Sequence, residues 1–148
     1  MHSIQATFTA LALCAVAASS ALAQSDFAQV AAKEPGAKVT ASGLVFRSLQ
    51  DGQGASPSAT DKVKVHYRGT FPDGKEFDSS YKRNQPIDFP LNAVIPCWTE
   101  GVQLMKVGGK AKLTCPPGIA YGARGAGGVI PPNATLQFEV ELIAIAGR

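Results

Sequence analysis

The sequence predicts an α+β domain in which a curved antiparallel sheet of about five strands wraps one short helix. Three observations carry this. Segments of strict two-residue alternation lie on both sides of a single stretch with helical period, and Gly, Pro, Asn and Asp clusters punctuate the boundaries. The helical stretch is too short to be more than one helix. The 148-residue chain suffices for one domain with short extras. A composition of 45% hydrophobic and 17% charged residues carries no disordered or coiled-coil signature. A net charge of +3, with acids and bases interleaved, argues against a nucleic-acid partner.

In chain order, residues 1–23 stand apart from the domain. Met1 to Ala23 holds no charged side chain, Phe8, Leu11, Leu13 and Val16 mark an apolar run, and Ala21-Leu22-Ala23 reads as a cleavage site before Gln24. The run is too short to span a bilayer. A signal peptide and a periplasmic or secreted mature chain are expected. Leu13 stands before Cys14 where a lipoprotein would need a small residue. Residues 24–42, Ala-rich and polar with a turn signal at Glu34-Pro35-Gly36, read as a linker, which leaves 43–148 as the domain.

The first strand is expected over 44–49, where Leu44, Phe46 and Ser48 alternate with Val45, Arg47 and Leu49. Residues 51–57 are a loop by composition. Lys62 to Tyr67 alternates without exception, with Val63, Val65 and Tyr67 facing the core and Lys62, Lys64 and His66 facing water. Phe71-Pro72-Asp73-Gly74 supplies the following turn. The helix is expected over 96–106: Pro96 suits its first position, Trp98, Val102 and Met105 fall on one face, and Gly108-Gly109 stops it. Strands close the chain at 110–115, ended by Pro116-Pro117, and at 135–146, with Leu136, Phe138, Val140 and Leu142 on one face. Trp98 is expected at the centre of the core.

Several chemistries are excluded by what the chain lacks. The glycine-rich stretch 122–128 has no G-K-[ST] ending and runs into Pro131-Pro132, so it is not a phosphate loop. His2 and His66 are the only histidines, which removes a histidine-based triad and a zinc site, and no metal or cofactor is expected. No Cys-x-x-Cys is present. Once the signal peptide takes Cys14 away, Cys97 and Cys115 remain. In an oxidising compartment they are a disulfide candidate, and the alternative is two buried thiols packed as small apolar residues. A redox-sensitive role rests on the same pair.

Five segments, in order and in register, resemble a known family. Val65-His66-Tyr67-Arg68-Gly69, Asp73 to Ser80, Val94-Ile95-Pro96-Cys97-Trp98, Ala120-Tyr121-Gly122 and Ile130 to Leu136 are similar to the macrolide-binding immunophilins, the FKBP-type peptidyl-prolyl cis-trans isomerases. The resemblance covers about residues 43–145. It implies an apolar pocket with Trp98 as floor, Tyr67, Phe77 and Phe138 as walls, and Ile87, Val94, Ile95, Val129 and Ile130 as further lining. Asp78 and Tyr121 are then the catalytic polar groups, with Arg83 pairing the carboxylate. Ile87, Cys97 and Ala126 depart from the best-known members, at positions where phenylalanine, glycine and histidine are usual. The implied activity is rotation of Xaa-Pro bonds without a covalent intermediate; the alternative is a periplasmic holding chaperone with little turnover. The implied partners are proline-containing unfolded or nascent exported proteins and tacrolimus-like macrolides. Because 24–42 is too short for a long dimerisation arm, a monomer is expected.

Overall fold

The alternating segment from Lys62 becomes the strand on which the sheet is organised. In the computed structural model, which describes residues 27–146, the elements are β1 (Ala37–Val39), β2 (Val45–Gln50), β3 (Lys62–Thr70), β4 (Glu76–Ser79), β5 (Ile87–Pro90), α1 (Pro96–Gln103), β6 (Lys110–Cys115) and β7 (Leu136–Ile145). The strands pair in the order β1-β2-β6-β7-β3-β4, all antiparallel, with β5 on β3. One edge of β3 is shared: β5 pairs with 62–65 and β4 with 68–70. The sheet has seven strands rather than about five because β1, β4 and β5 hold only three or four residues. Segments that short show no alternation to read.

Alternation decides which side chains meet the helix. Val63, Val65 and Tyr67 of β3, Leu113 and Cys115 of β6, and Leu136, Phe138, Val140 and Leu142 of β7 are buried. A bulge then changes the phase of β7. Lys64 pairs with Ala144 but Val65 pairs with Leu142, so Ile143 is the extra residue and Ile145 turns inward. His66 lies on the outer face of β3 but is half-buried, because its ring stacks on Tyr81 with centroids 4.6 Å apart.

Helix α1 lies on the inner face of the sheet. It ends at Gln103 rather than Lys106, and the chain turns through Gly108 at φ 92°. Cys97, Trp98, Gly101 and Val102 of the helix and Met105 beyond it are buried. At its N-terminal end the Cys97 and Cys115 sulfurs lie at bonding distance, with Cα atoms 5.8 Å apart and both residues fully buried. Among the described residues no helix is long and apolar enough to cross a membrane.

The segment read as a linker is tied to the sheet over its described part. Residues 27–32 are helical with Ala31 buried, and β1 pairs with β2. Glu34 reaches the cross-strand neighbours Arg47 and Lys112, the latter at 2.9 Å. The segment's charged residues follow no period and its one strand has three residues, so the sequence alone shows no element there. The expected signal peptide, 1–23, lies outside the described residues.

Helix and sheet are tightly apposed at Gly101, where an added Cβ would stand 2.9 Å from both terminal methyls of Leu113. Leu113 is fully buried and has no room to yield. Gly101→Ala would gain about 1 kcal/mol of helix propensity and lose about 1–3 kcal/mol to overpacking. A lower urea midpoint is expected; an unchanged or raised one would contradict this packing.

Candidate functional site

Where α1 stops covering the sheet, a cavity of about 270 Å³ opens. Its floor is Trp98, and its walls come from three strands: Tyr67 on β3, Phe77 on β4 and Phe138 on β7. Trp98 meets Tyr67, Phe89 and Phe138 edge-on, with ring centroids 5.3, 5.5 and 5.4 Å away. Phe77 meets Phe138 edge-on at 5.6 Å. Edge-to-face contact satisfies the ring quadrupoles and leaves ring faces free for a ligand. This closeness depends on Gly69, since a Cβ there would lie 2.5 Å from Phe77 Cζ and 3.0 Å from Phe138 Cε1. The Trp98 indole N–H is buried with no acceptor among the described residues, so packing holds the ring. Val94 and Ile95 approach from the segment that enters α1, and Tyr121 from the segment after the 3-10 turn Pro117–Ile119.

One carboxylate faces these rings. Asp78 accepts hydrogen bonds from Tyr67 Oη, from Arg83 Nη1 at 2.7 Å and from the Ser79 backbone N–H at 2.9 Å. Arg83 Nη2 also donates to Tyr67 Oη at 3.2 Å, closing a three-membered network. Buried Ser80 ties the network to the sheet: its N–H donates to Tyr67 O at 3.0 Å, and its Oγ accepts from Tyr67 N at 2.8 Å. Burial alone would raise the Asp78 pKa, but the hydrogen bonds from Arg83 and Tyr67 and the charge of Arg83 outweigh it and hold the carboxyl below its ordinary value. Burial raises the Tyr67 pKa, and the Asp78 carboxylate raises it further. Tyr67 is therefore a fixed donor and Asp78 a fixed anion at neutral pH. Tyr121 Oη makes no hydrogen bond among the described residues and Tyr121 is 40% exposed, which leaves a donor at the cavity wall. Among the described residues no group of three or more His, Cys, Asp or Glu is placed to hold a metal ion.

Residues 53–143 match the family model of the FKBP-type peptidyl-prolyl cis-trans isomerases. The chain belongs to this family. The FKBP-type peptidyl-prolyl cis-trans isomerase FkpA of Aeromonas hydrophila is 59% identical over 114 residues, covering 77% of this chain and 42% of that protein. The crystal structure of FkpA from Escherichia coli superposes with a TM-score of 0.82 at 45% identity, over 89% of this chain and 61% of that one. A crystal structure of a peptidyl-prolyl cis-trans isomerase from Pseudomonas syringae gives a TM-score of 0.79 at 43% identity, over 86% of this chain and 94% of that one. The chain thus spans less than half the length of the Aeromonas relative.

The residues singled out in the FKBP-like motifs fall into three groups. Tyr67, Phe77, Asp78, Val94, Ile95, Trp98, Tyr121 and Phe138 line the cavity together. Val129 and Ile130 line an adjoining one of about 360 Å³, which shares Phe77, Asp78 and Tyr121 with the first. Arg83 stands outside both and is ion-paired to Asp78 at 2.7 Å. Ile87 packs against the core and is not among the residues lining either cavity, whereas Phe89 lines the first. The two share a strand face, with Ile87 opposite Val65 and Phe89 opposite Val63. Phe89 is the one that meets the Trp98 ring edge-on. Ala93 also lines the cavity. Two-residue spacing from Ile87 is the signal by which sequence could have found Phe89; a lone alanine gave none.

A carbon-detected titration of the Asp78 carboxyl is expected to show a midpoint below the ordinary 3.8, and Arg83→Ala should move it upward. Any stabilisation linked to this shift is complete above the unfolded-chain value and is lost as pH falls through the folded one. A midpoint unmoved by Arg83→Ala would remove the assigned cause.

Proposed function

We propose that this chain is a peptidyl-prolyl cis-trans isomerase that rotates Xaa-Pro bonds in exported proteins by a non-covalent route. The reading is carried by one observation: an apolar cavity walled by aromatic rings, with a pinned carboxylate and an unengaged Tyr121 hydroxyl on its wall. Amide resonance sets the barrier at about 18–20 kcal/mol. The twisted amide is less charge-separated than the planar one, so an apolar cavity disfavours the planar ground state more. The rotating carbonyl needs a donor, and Tyr121 supplies it. Asp78 is held charged beside the rotating group and orients Tyr67, whose ring forms a wall.

Magnitudes make this sufficient. Shortening tens of seconds to milliseconds needs roughly 5–6 kcal/mol. One buried hydrogen bond supplies about 1–3 kcal/mol, and ground-state desolvation with selection of a twisted conformer supplies the remainder. Family membership favours turnover over simple holding of unfolded chains as the activity of this cavity. Tacrolimus-like macrolides are proposed to compete for it.

Export is proposed from the uncharged apolar segment before Gln24 and from the cysteine pair. An oxidising compartment would keep Cys97 and Cys115 joined as a disulfide beside Trp98, and their separation of 5.8 Å between Cα atoms supports the bond.

In a proline-peptide assay, Tyr121→Phe is expected to lower kcat/KM about tenfold, and Asp78→Ala about ten- to hundredfold. Full turnover in both variants would remove their assigned roles. Alkylation of the unfolded protein without reductant should leave Cys97 and Cys115 unlabelled. The Cys97→Ala, Cys115→Ala double variant should be about 3 kcal/mol less stable. Labelling of both thiols without reductant would end the disulfide proposal.

A further inference from the structure

A second, shallower depression of about 740 Å³ runs along the outward face of α1, lined from Pro96 at the start of the helix to Gln103 at its end and Leu104 just beyond. It lies beside the aromatic cavity, with Val94 lining both. Its apolar surface comes from Val94, Pro96, Ile119 and Leu104, the last 51% exposed without a packing role that explains it.

The polar groups in this groove are mostly satisfied internally. Thr99 Oγ1 donates to Leu91 O at 2.6 Å, Gln103 Nε2 donates to Thr99 O at 2.7 Å, and Glu100 accepts from Ser42 Oγ. No lysine or arginine lines the groove, and its one charge is the Glu100 carboxylate. Asn92 differs: its side-chain amide has no partner among the described residues, so both its donor and its acceptor are available. Such a surface favours apolar side chains, repels acidic ones and offers one amide to a peptide backbone.

We propose that this groove holds the residues flanking the proline of an unfolded polypeptide, apolar ones by preference and acidic ones excluded. The proposal rests on the isomerase reading for what occupies the adjoining cavity. The shared Val94 points to the occupant, because a chain leaving the cavity over that residue meets the groove next. An eight-residue helix is about 12 Å long, which accommodates about four residues of extended chain. Unfolded chains present apolar runs of that length, and folded proteins bury them.

The test compares two substrates: a proline tetrapeptide, too short to fill both cavity and groove, and a protein whose refolding is limited by proline isomerisation. Leu104→Asp is expected to lower kcat/KM about three- to tenfold on the refolding chain while leaving the tetrapeptide value within about twofold. Leu104→Ala should show the same split more weakly, and unchanged thermal unfolding of the milder variant separates a groove effect from misfolding. An equal fall on both substrates, or no fall on the refolding chain, overturns the proposal. Wild-type turnover of the tetrapeptide tests the isomerase reading separately. If that turnover is absent, fluorescence anisotropy with a labelled, permanently unfolded chain decides the groove alone: weaker binding by Leu104→Asp supports it, and equal binding overturns it.

Discussion

Trp98 sits where an eight-residue helix stops short of covering the sheet. Six strands side by side span about 24 Å, whereas the helix is about 12 Å long. The inner face near β3 and β4 is therefore left without a roof. In most domains an uncovered inner face is a defect that water would exploit. Here Tyr67, Phe77, Phe89 and Phe138 stand around the indole and turn the gap into a walled cavity. The helix must hold its place for that to work. Gly101 lets it settle onto Leu113, and the Cys97–Cys115 contact, one residue from Trp98, anchors its N-terminal end to β6.

The polar side of the cavity is built on the same strands as the apolar side. Tyr67 is a core residue by burial, a ring contact to Trp98 and a hydrogen-bond donor to Asp78. Gly69, two residues on, gives Phe77 and Phe138 the space to meet. Ser80 ties the chain after β4 back to the Tyr67 backbone, so the carboxylate cannot drift from its donor. Few groups are available to be misplaced. A mechanism that breaks no covalent bond asks only for a shaped apolar space, a fixed charge and a donor.

Legibility in the sequence followed the range of the interactions. The long strands β3, β6 and β7 were visible because alternation is a local consequence of having one face buried. Helix α1 was visible from Pro96 and from the spacing of Trp98, Val102 and Met105. β4 and β5 were not, since four residues pairing along one edge of β3 are held by a distant partner. For the same reason Ile87 was read as lining and Phe89 was not: register decides which of two apolar residues on one strand face meets Trp98. The family motifs placed Asp78, Tyr121 and Arg83 in sequence, but the network joining Arg83 to both Asp78 and Tyr67 needed coordinates.

By itself the sequence determined that the fold is α+β, that Trp98 belongs to its core, and that His2 and His66 are the only histidines it offers. These are matters of periodicity and inventory, carried by each segment alone. The tertiary structure decided how far the helix covers the sheet, which aromatic rings share a cavity and how the described part of 24–42 is held. It also placed a groove along α1 beside that cavity, with Val94 lining both. Each of these depends on pairing or contact between residues far apart in the chain, and such distances are set only when the sheet closes around the helix.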